Sequence, residues 1–194
     1  MEVFAIAALT LDGYIGRSAT ERSFDWTTPE DKAAYIAKIK EAKHLVMGST
    51  TLQSVRRFPK ETTVYVYTRH PESFDTTQHS QAATYQPTNE SPQQLVARLT
   101  AAGVEQLAIC GGASIYQQFL AAGVVTKLFL TIEPTLFGKG IRFFGEFDQE
   151  YDLQLLEQKQ LNDHGSIWLE YALSPKSTVQ STSDPVLEAQ LYAS

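Results

Sequence analysis

The chain has 194 residues, 43% of them apolar and 20% charged, the proportions of one ordinary folded domain rather than of a disordered, collagenous or disulfide-stapled chain. Its 16 basic and 22 acidic side chains leave a net charge of −6, with no basic footprint for nucleic acid or an anionic membrane. A single cysteine, Cys110, excludes an internal disulfide and suits a reducing cytosol, and no apolar run approaches the roughly 18 residues of a membrane span.

Val3 to Leu9 is almost wholly apolar and lacks the basic flank of a signal peptide, so it reads as a buried first strand ending at the Leu11-Asp12-Gly13 turn. Residues 16 to 28 form a polar loop longer than a compact domain carries without purpose. Thr28-Pro29-Glu30-Asp31 then opens a helix running to about Ala42, with threonine at the N-cap, proline at the first helical position and an acid at the third. His44 to Gly48 is a second buried strand, and Ser49 to Val55 a short helix. Thr63 to Thr68, β-branched and aromatic, is a third strand, and Ala82 to Tyr85 a short fourth. Ser91-Pro92 starts a helix that Gly103 ends. Gln106 to Cys110 is a strand, Gly111-Gly112 a tight turn, Ala113 to Ala121 a helix and Lys127 to Glu133 a strand. Leu153 to Leu161 and Ser166 to Leu173, joined by the turn-forming Asn162-Asp163-His164-Gly165, predict an antiparallel hairpin. From Ser174 the chain is rich in serine, threonine and proline and is expected to be a mobile tail, leaving one domain over residues 1–173. This order predicts an α/β three-layer sandwich, a mainly parallel sheet closed by an antiparallel hairpin.

Ligands in such sheets gather beyond the carboxyl ends of the strands. No Gly-Lys-Ser/Thr phosphate loop and no Gly-x-Ser-x-Gly elbow is present, and four scattered histidines with one cysteine lack metal-ligand spacing. A phosphate-binding pattern remains. Gly111-Gly112 lies between a strand and a helix, where the bare backbone approaches a pyrophosphate closely; a plain tight turn is the alternative. Ser49-Thr50-Thr51 offers hydroxyls at a second helix start, and Arg69 follows the third strand as a bidentate partner for a ribose phosphate. Asp31 is the acid beside this crevice, although its spacing from Thr28 is also that of a capping box.

Together these segments resemble the dihydrofolate reductase superfamily. The resemblance rests on Ala5 to Gly16, Asp25-Trp26 before Pro29-Glu30-Asp31, Val46 to Thr51, Tyr67-Thr68-Arg69, and Ile109 to Tyr116, in that order. Pro134 to Phe144 is similar to the riboflavin-pathway branch, the RibD C-terminal domain. The resemblance implies a dihydrofolate-reductase-like, mostly parallel sheet and hydride transfer from NADPH to a pteridine- or pyrimidine-type ring. It would set Ala8, Ile15 and Gly16 at the nicotinamide, and Gly48, Thr50, Thr51, Thr68, Arg69, Gly111, Gly112, Ser114, Ile115 and Tyr116 along the rest of the cofactor. Asp31 would be catalytic, with Tyr35, Val55 and Thr131 on the substrate side, and residues 16 to 26 would form a lid. Two departures stand out. Glu61 occupies the place of the arginine that clamps the folate tail, with Arg56 and Arg57 as the nearest compensating cations, and Gln53-Ser54-Val55 replaces the Asp-Asp-Pro of riboflavin enzymes. Dihydrofolate reductase proper and a non-catalytic dinucleotide-binding module are the alternatives. The expected partner is a small heterocycle in the cytoplasm, without nucleic acid or membrane, and a homodimer is left open.

Overall fold

The computed structural model describes residues 1–19, 21–55, 57–79 and 81–176. Its main sheet has eight strands in the order β5-β4-β3-β6-β1-β7-β10-β9. They are β1 (Glu2–Thr10), β3 (His44–Gly48), β4 (Thr62–Tyr67), β5 (Ala83–Thr88), β6 (Gln106–Ile109), β7 (Lys127–Glu133), β9 (Tyr151–Gln160) and β10 (Ile167–Pro175). Pairings from β5 across to β7 are parallel, and β10 and β9 join antiparallel, as the segment order requires. Four helices connect them: α1 (Pro29–Ala42), α2 (Ser49–Leu52), α3 (Pro92–Ala101) and α4 (Ala113–Ala121). A small second sheet pairs β2 (Tyr14–Gly16) with β8 (Ile141–Arg142).

β1 shows why its sequence is apolar throughout instead of alternating. Val3, Ala5, Ala7 and Leu9 face one core with Leu95 and Leu99 of α3 and Ile115, Phe119 and Leu120 of α4. Phe4 and Ile6 face the other, with Ile39 and Ala42 of α1 and Leu52 of α2. A central parallel strand is covered on both sides, so every position must be apolar. The ends of α3 follow the expected chemistry. Ser91 Oγ accepts from Gln94 N–H at 3.2 Å, and Gln94 Oε1 returns the bond to Ser91 N–H at 2.9 Å.

The differences from the sequence reading are local. α2 stops at Leu52 rather than Val55, and β5 extends to Thr88, through a proline that an edge strand tolerates. β2 and β8 are too short to leave a periodic signal, and their pairing rests on contacts across 125 residues of sequence. β10 runs to Pro175, and the rest of the predicted tail, residues 177–194, lies outside the described residues.

Phe119 is fully buried and packs edge-on against Tyr67 with ring centroids 5.5 Å apart. Phe119→Ala is expected to destabilise the fold by about 3–5 kcal/mol, read as a lower midpoint in urea with an unchanged slope.

Candidate active site

β6 enters the sheet between β3 and β1, so the connections on its two sides diverge at the carboxyl ends of the strands. A cleft of about 1420 Å³ opens there. Of the residues predicted for the site, Ala8, Ile15, Gly16, Asp31, Tyr35, Thr50, Thr51, Val55, Gly111, Gly112, Ser114 and Tyr116 line it. Gly48, Thr68, Arg69, Ile115 and Thr131 do not reach its surface. Gly48 and Ile115 stand directly behind it, since a Cβ on Gly48 would meet Ile115 Cγ1 at 3.2 Å. Thr131 is buried beside Asp31, whereas Arg69 is exposed just past the end of β4.

The double glycine is required by crowding. The Gly111–Gly112 peptide is cis, and Gly111 has φ of +106°, a left-handed value that glycine alone adopts at little cost. A Cβ on Gly112 would meet Thr51 Oγ1 at 2.7 Å. The turn is pinned to the neighbouring strand by Gly48 N–H donating to Gly111 O at 2.8 Å and Cys110 N–H to Val46 O at 2.9 Å. Gly112 is also the N-cap of α4 and brings no side chain to that helix start, so the positive end of the helix, with Ala113 and Ser114, is left facing the cleft. Tyr116 is held away from the opening, its hydroxyl donating to Ile6 O at 2.8 Å.

Asp31 is only 3% exposed. The capping box suggested by its spacing does not form. Thr28 Oγ1 does accept from Asp31 N–H at 3.4 Å, but the Thr28 N–H that the Asp31 carboxylate would have taken donates to Glu133 Oε1 at 3.0 Å. The Asp31 carboxyl is therefore committed to no cap. Burial raises its pKa first, and the nearby Glu133 charge adds to this; the hydroxyls of Thr131 and Thr27 beside it pull the other way. Both hydroxyls are buried, and neither reaches a partner in full hydrogen-bond geometry; the same holds for Trp26 Nε1 in the adjoining loop.

Tyr35 lies one helical turn beyond Asp31 and presents its ring edge to Phe24, with centroids 5.6 Å apart. Its hydroxyl sits among Cys110, Tyr116 and Asp31, and burial holds its pKa well above the usual value. Burial likewise pushes the Cys110 thiol up to about 12, so it is an inert core thiol, as its place in an apolar strand suggested.

The sequence did not show that Lys40, Lys43 and Lys60 join Arg57 and Glu61 along the cleft, at the end of α1 and in the segment before β4. Glu61 does not make this mouth repel anions, because Lys43 Nζ lies 3.1 Å from its carboxylate and the remaining cations outnumber it. Arg56, the other suggested compensating cation, lies outside the described residues. The loop over the cleft contributes Ser18, Ala19 and residues 21 to 24, and its base is anchored by Arg17 over the Phe137 ring and by Trp26 edge-on to Phe137.

The fold and this cleft define a dihydrofolate-reductase-like domain. The RibD C-terminal domain family matches residues 2–165, and the chain belongs to that family. It is 27% identical over 161 residues to the uncharacterized protein YwjB of Bacillus subtilis, covering 79% of this chain and 88% of that one. Among solved structures it is similar to a Thermotoga maritima diaminohydroxyphosphoribosylaminopyrimidine deaminase/5-amino-6-(5-phosphoribosylamino)uracil reductase, with a TM-score of 0.71, 13% identity, and 89% of this chain and 56% of that one covered. It is also similar to dihydrofolate reductase from Enterococcus faecalis, solved with NADP(H), with a TM-score of 0.58, 20% identity, and coverage of 89% and 96%. At such identities the structural likeness shows the fold.

The raised pKa of Asp31 fixes the sign of a stability test. A carboxyl whose folded pKa exceeds its unfolded value binds its proton more tightly when folded, so its contribution is favourable below the unfolded pKa and is lost as pH rises through the folded one. Asp31→Asn removes that loss. Its melting temperature is expected to equal or exceed wild type at pH 7, with the advantage shrinking toward pH 4, in thermal melts across that range. A variant that melts lower at pH 7 would restore the helix-cap role.

Proposed function

We propose that the protein is an NADPH-dependent reductase that transfers hydride to a pteridine- or pyrimidine-type heterocycle, of the 5-amino-6-(5-phosphoribosylamino)uracil reductase type. The observation that carries this reading is Asp31: a buried carboxyl of raised proton affinity, free of any capping bond, lining a cleft opposite a crowded double glycine.

The residues fit the cofactor. Gly111 and Gly112 supply bare backbone, the uncapped start of α4 supplies positive potential, and Thr50 and Thr51 add hydroxyls, a set suited to a pyrophosphate. Ala8, Ile15 and Gly16 would border the nicotinamide, and Thr68 and Arg69 the adenosine phosphate. When bound, NADPH supplies the hydride. Asp31 binds the ring edge and shares its proton with the nitrogen that becomes basic as the adjacent carbon is reduced, with the hydroxyls of Thr131 and Thr27 beside its carboxyl. Tyr35 and Val55 bound the ring, and the loop over the cleft excludes water. The cations at the mouth suit a phosphate on the substrate.

Dihydrofolate is the second reading, favoured by the same mouth, since the Lys43–Glu61 pair takes up the one acidic charge that spoke against a folate carboxylate. Relative kcat/KM on the two substrates decides between them, and binding of NADPH without turnover of either would support the module instead.

Asp31→Asn is expected to lower single-turnover hydride transfer by at least roughly 10²-fold with NADPH affinity nearly unchanged, and lower pH should partly restore the rate if the substrate arrives protonated. NADPH is expected to bind about tenfold or more tightly than NADH, and Arg69→Ala to remove that preference, in titrations of both cofactors. Equal preference in both proteins would remove Arg69 from the site.

A further inference from the structure

Thr28 offers two donors at the start of α1, its backbone N–H and its hydroxyl, and both go to Glu133 Oε1 on β7 at 3.0 Å. Ser166, just before β10, gives its hydroxyl to Glu133 Oε2 at 2.5 Å. Such a side chain must accept on both oxygens and donate from neither, which a carboxylate does and an amide does not.

This arrangement decides what becomes of Asp31. In a capping box the third helical residue bonds back to the N-cap N–H, and here Glu133 already holds that N–H. Glu133 also turns the Thr28 hydroxyl. With its hydrogen given to Glu133, Thr28 Oγ1 keeps a lone pair for the Asp31 N–H, 3.4 Å away. The backbone of Asp31 is thereby fixed through Thr28, while its carboxyl is kept out of the cap and Asp31 lines the cleft.

We infer that Glu133 is a positioning residue for Asp31: by occupying the N-cap donors of α1, it keeps the Asp31 carboxyl turned toward the ligand. Glu133 does not itself line the cleft, so it acts through Thr28 and Asp31 and not on the ligand. The inference rests on the role proposed above for Asp31 and adds the group that serves it.

The surroundings bear this out. Around the Asp31 carboxyl stand the hydroxyls of Thr131 and Thr27, the Glu133 carboxylate from β7 and, on its own helix, the Tyr35 phenol with Cys110 of the β6 end beyond it. Its neighbours along α1 are engaged elsewhere. Lys32 lies over the Phe24 ring, 4.8 Å from the centroid, and Glu30 accepts from Asn162 at 3.3 Å. Burial first, and the Glu133 charge after it, favour the protonated Asp31 against the pull of the two hydroxyls.

Two substitutions separate position from charge. E133Q keeps an acceptor for Thr28 and drops the charge, and E133A releases the Thr28 N–H to Asp31. Wild type and both variants are compared by NMR titration of the Asp31 carboxyl, assigned with D31N, and by single-turnover hydride transfer from NADPH across pH. In E133Q the Asp31 titration and the alkaline limb of the rate are expected to move together to lower pH, because a like charge has gone. In E133A the titration should also move down, since the carboxylate now accepts the Thr28 N–H, and the low-pH rate should fall at least roughly tenfold, by more than in E133Q, with NADPH affinity unchanged. A merely structural role would lower the melting temperature of both variants and leave the Asp31 titration in place. An unmoved titration, or a folded E133A that transfers hydride as fast as wild type, overturns the proposal; E133Q alone decides it by titration if E133A does not fold. A displaced titration in a protein that reduces no heterocycle would uphold the positioning and count against the proposed reaction alone.

Discussion

Glu133 Oε1 accepts the backbone N–H and the hydroxyl of Thr28, both at 3.0 Å, and its Oε2 accepts the hydroxyl of Ser166 at 2.5 Å. Ser166 is in turn held by Asn162 of the hairpin joint, whose Oδ1 takes the Ser166 N–H at 3.2 Å. One buried carboxylate thus ties the start of α1, the end of β7 and the turn of the hairpin. A buried charge is tolerated when every lone pair in reach finds a donor, and three donors converge here. The consequence lies next door. With Thr28 capped from β7, the first turn of α1 has no use for the Asp31 carboxylate, and burial, with the Glu133 charge adding to it, raises the proton affinity of that group. A helix start that would ordinarily consume its own acid hands it to the cleft.

The other wall follows from a steric constraint. Inserting β6 between β3 and β1 brings three strand ends together, and α2 and α4 both begin within contact of the same turn. Any side chain at Gly112 would collide with Thr51, and one at Gly111 would meet the Tyr116 ring at about 3.1 Å. The backbone is exposed to the cleft because nothing else fits. The same crowding that forbids side chains at the turn opens its amides to a ligand, so packing and binding share one cause.

Much of this was legible in the chain. Unbroken apolar runs at Val3–Leu9 and His44–Gly48, proline and hydroxyl signals at Thr28-Pro29 and Ser91-Pro92, and the Asn162–Gly165 joint each act through neighbours in sequence, and each element formed where expected. What escaped depends on partners far apart. The Thr28–Asp31 spacing suggested a box because the competitor for the Thr28 N–H sits 105 residues away on β7. Glu61 looked like a repelling charge because Lys43, at 18 residues' separation, gives no periodic cue. β2 and β8 pair with each other across 125 residues of sequence. Arg69 follows its strand as predicted, yet its side chain is exposed outside the cleft lining, which a position count could not reveal.

Charge shows the same separation between global and local description. A net charge of −6 describes a chain that repels anions at a distance. Yet the outer end of the cleft is built from lysines and arginine on the last turns of α1 and on the segment before β4, two segments that meet only because β3 and β4 are parallel neighbours. At an ionic strength near physiological, screening over about 8 Å hides the distant acids from a ligand at the mouth while leaving these cations in reach. An anion arriving at this mouth would therefore meet these cations first, despite the sign of the whole. The fold, by choosing which charges are neighbours, determines what the cleft attracts.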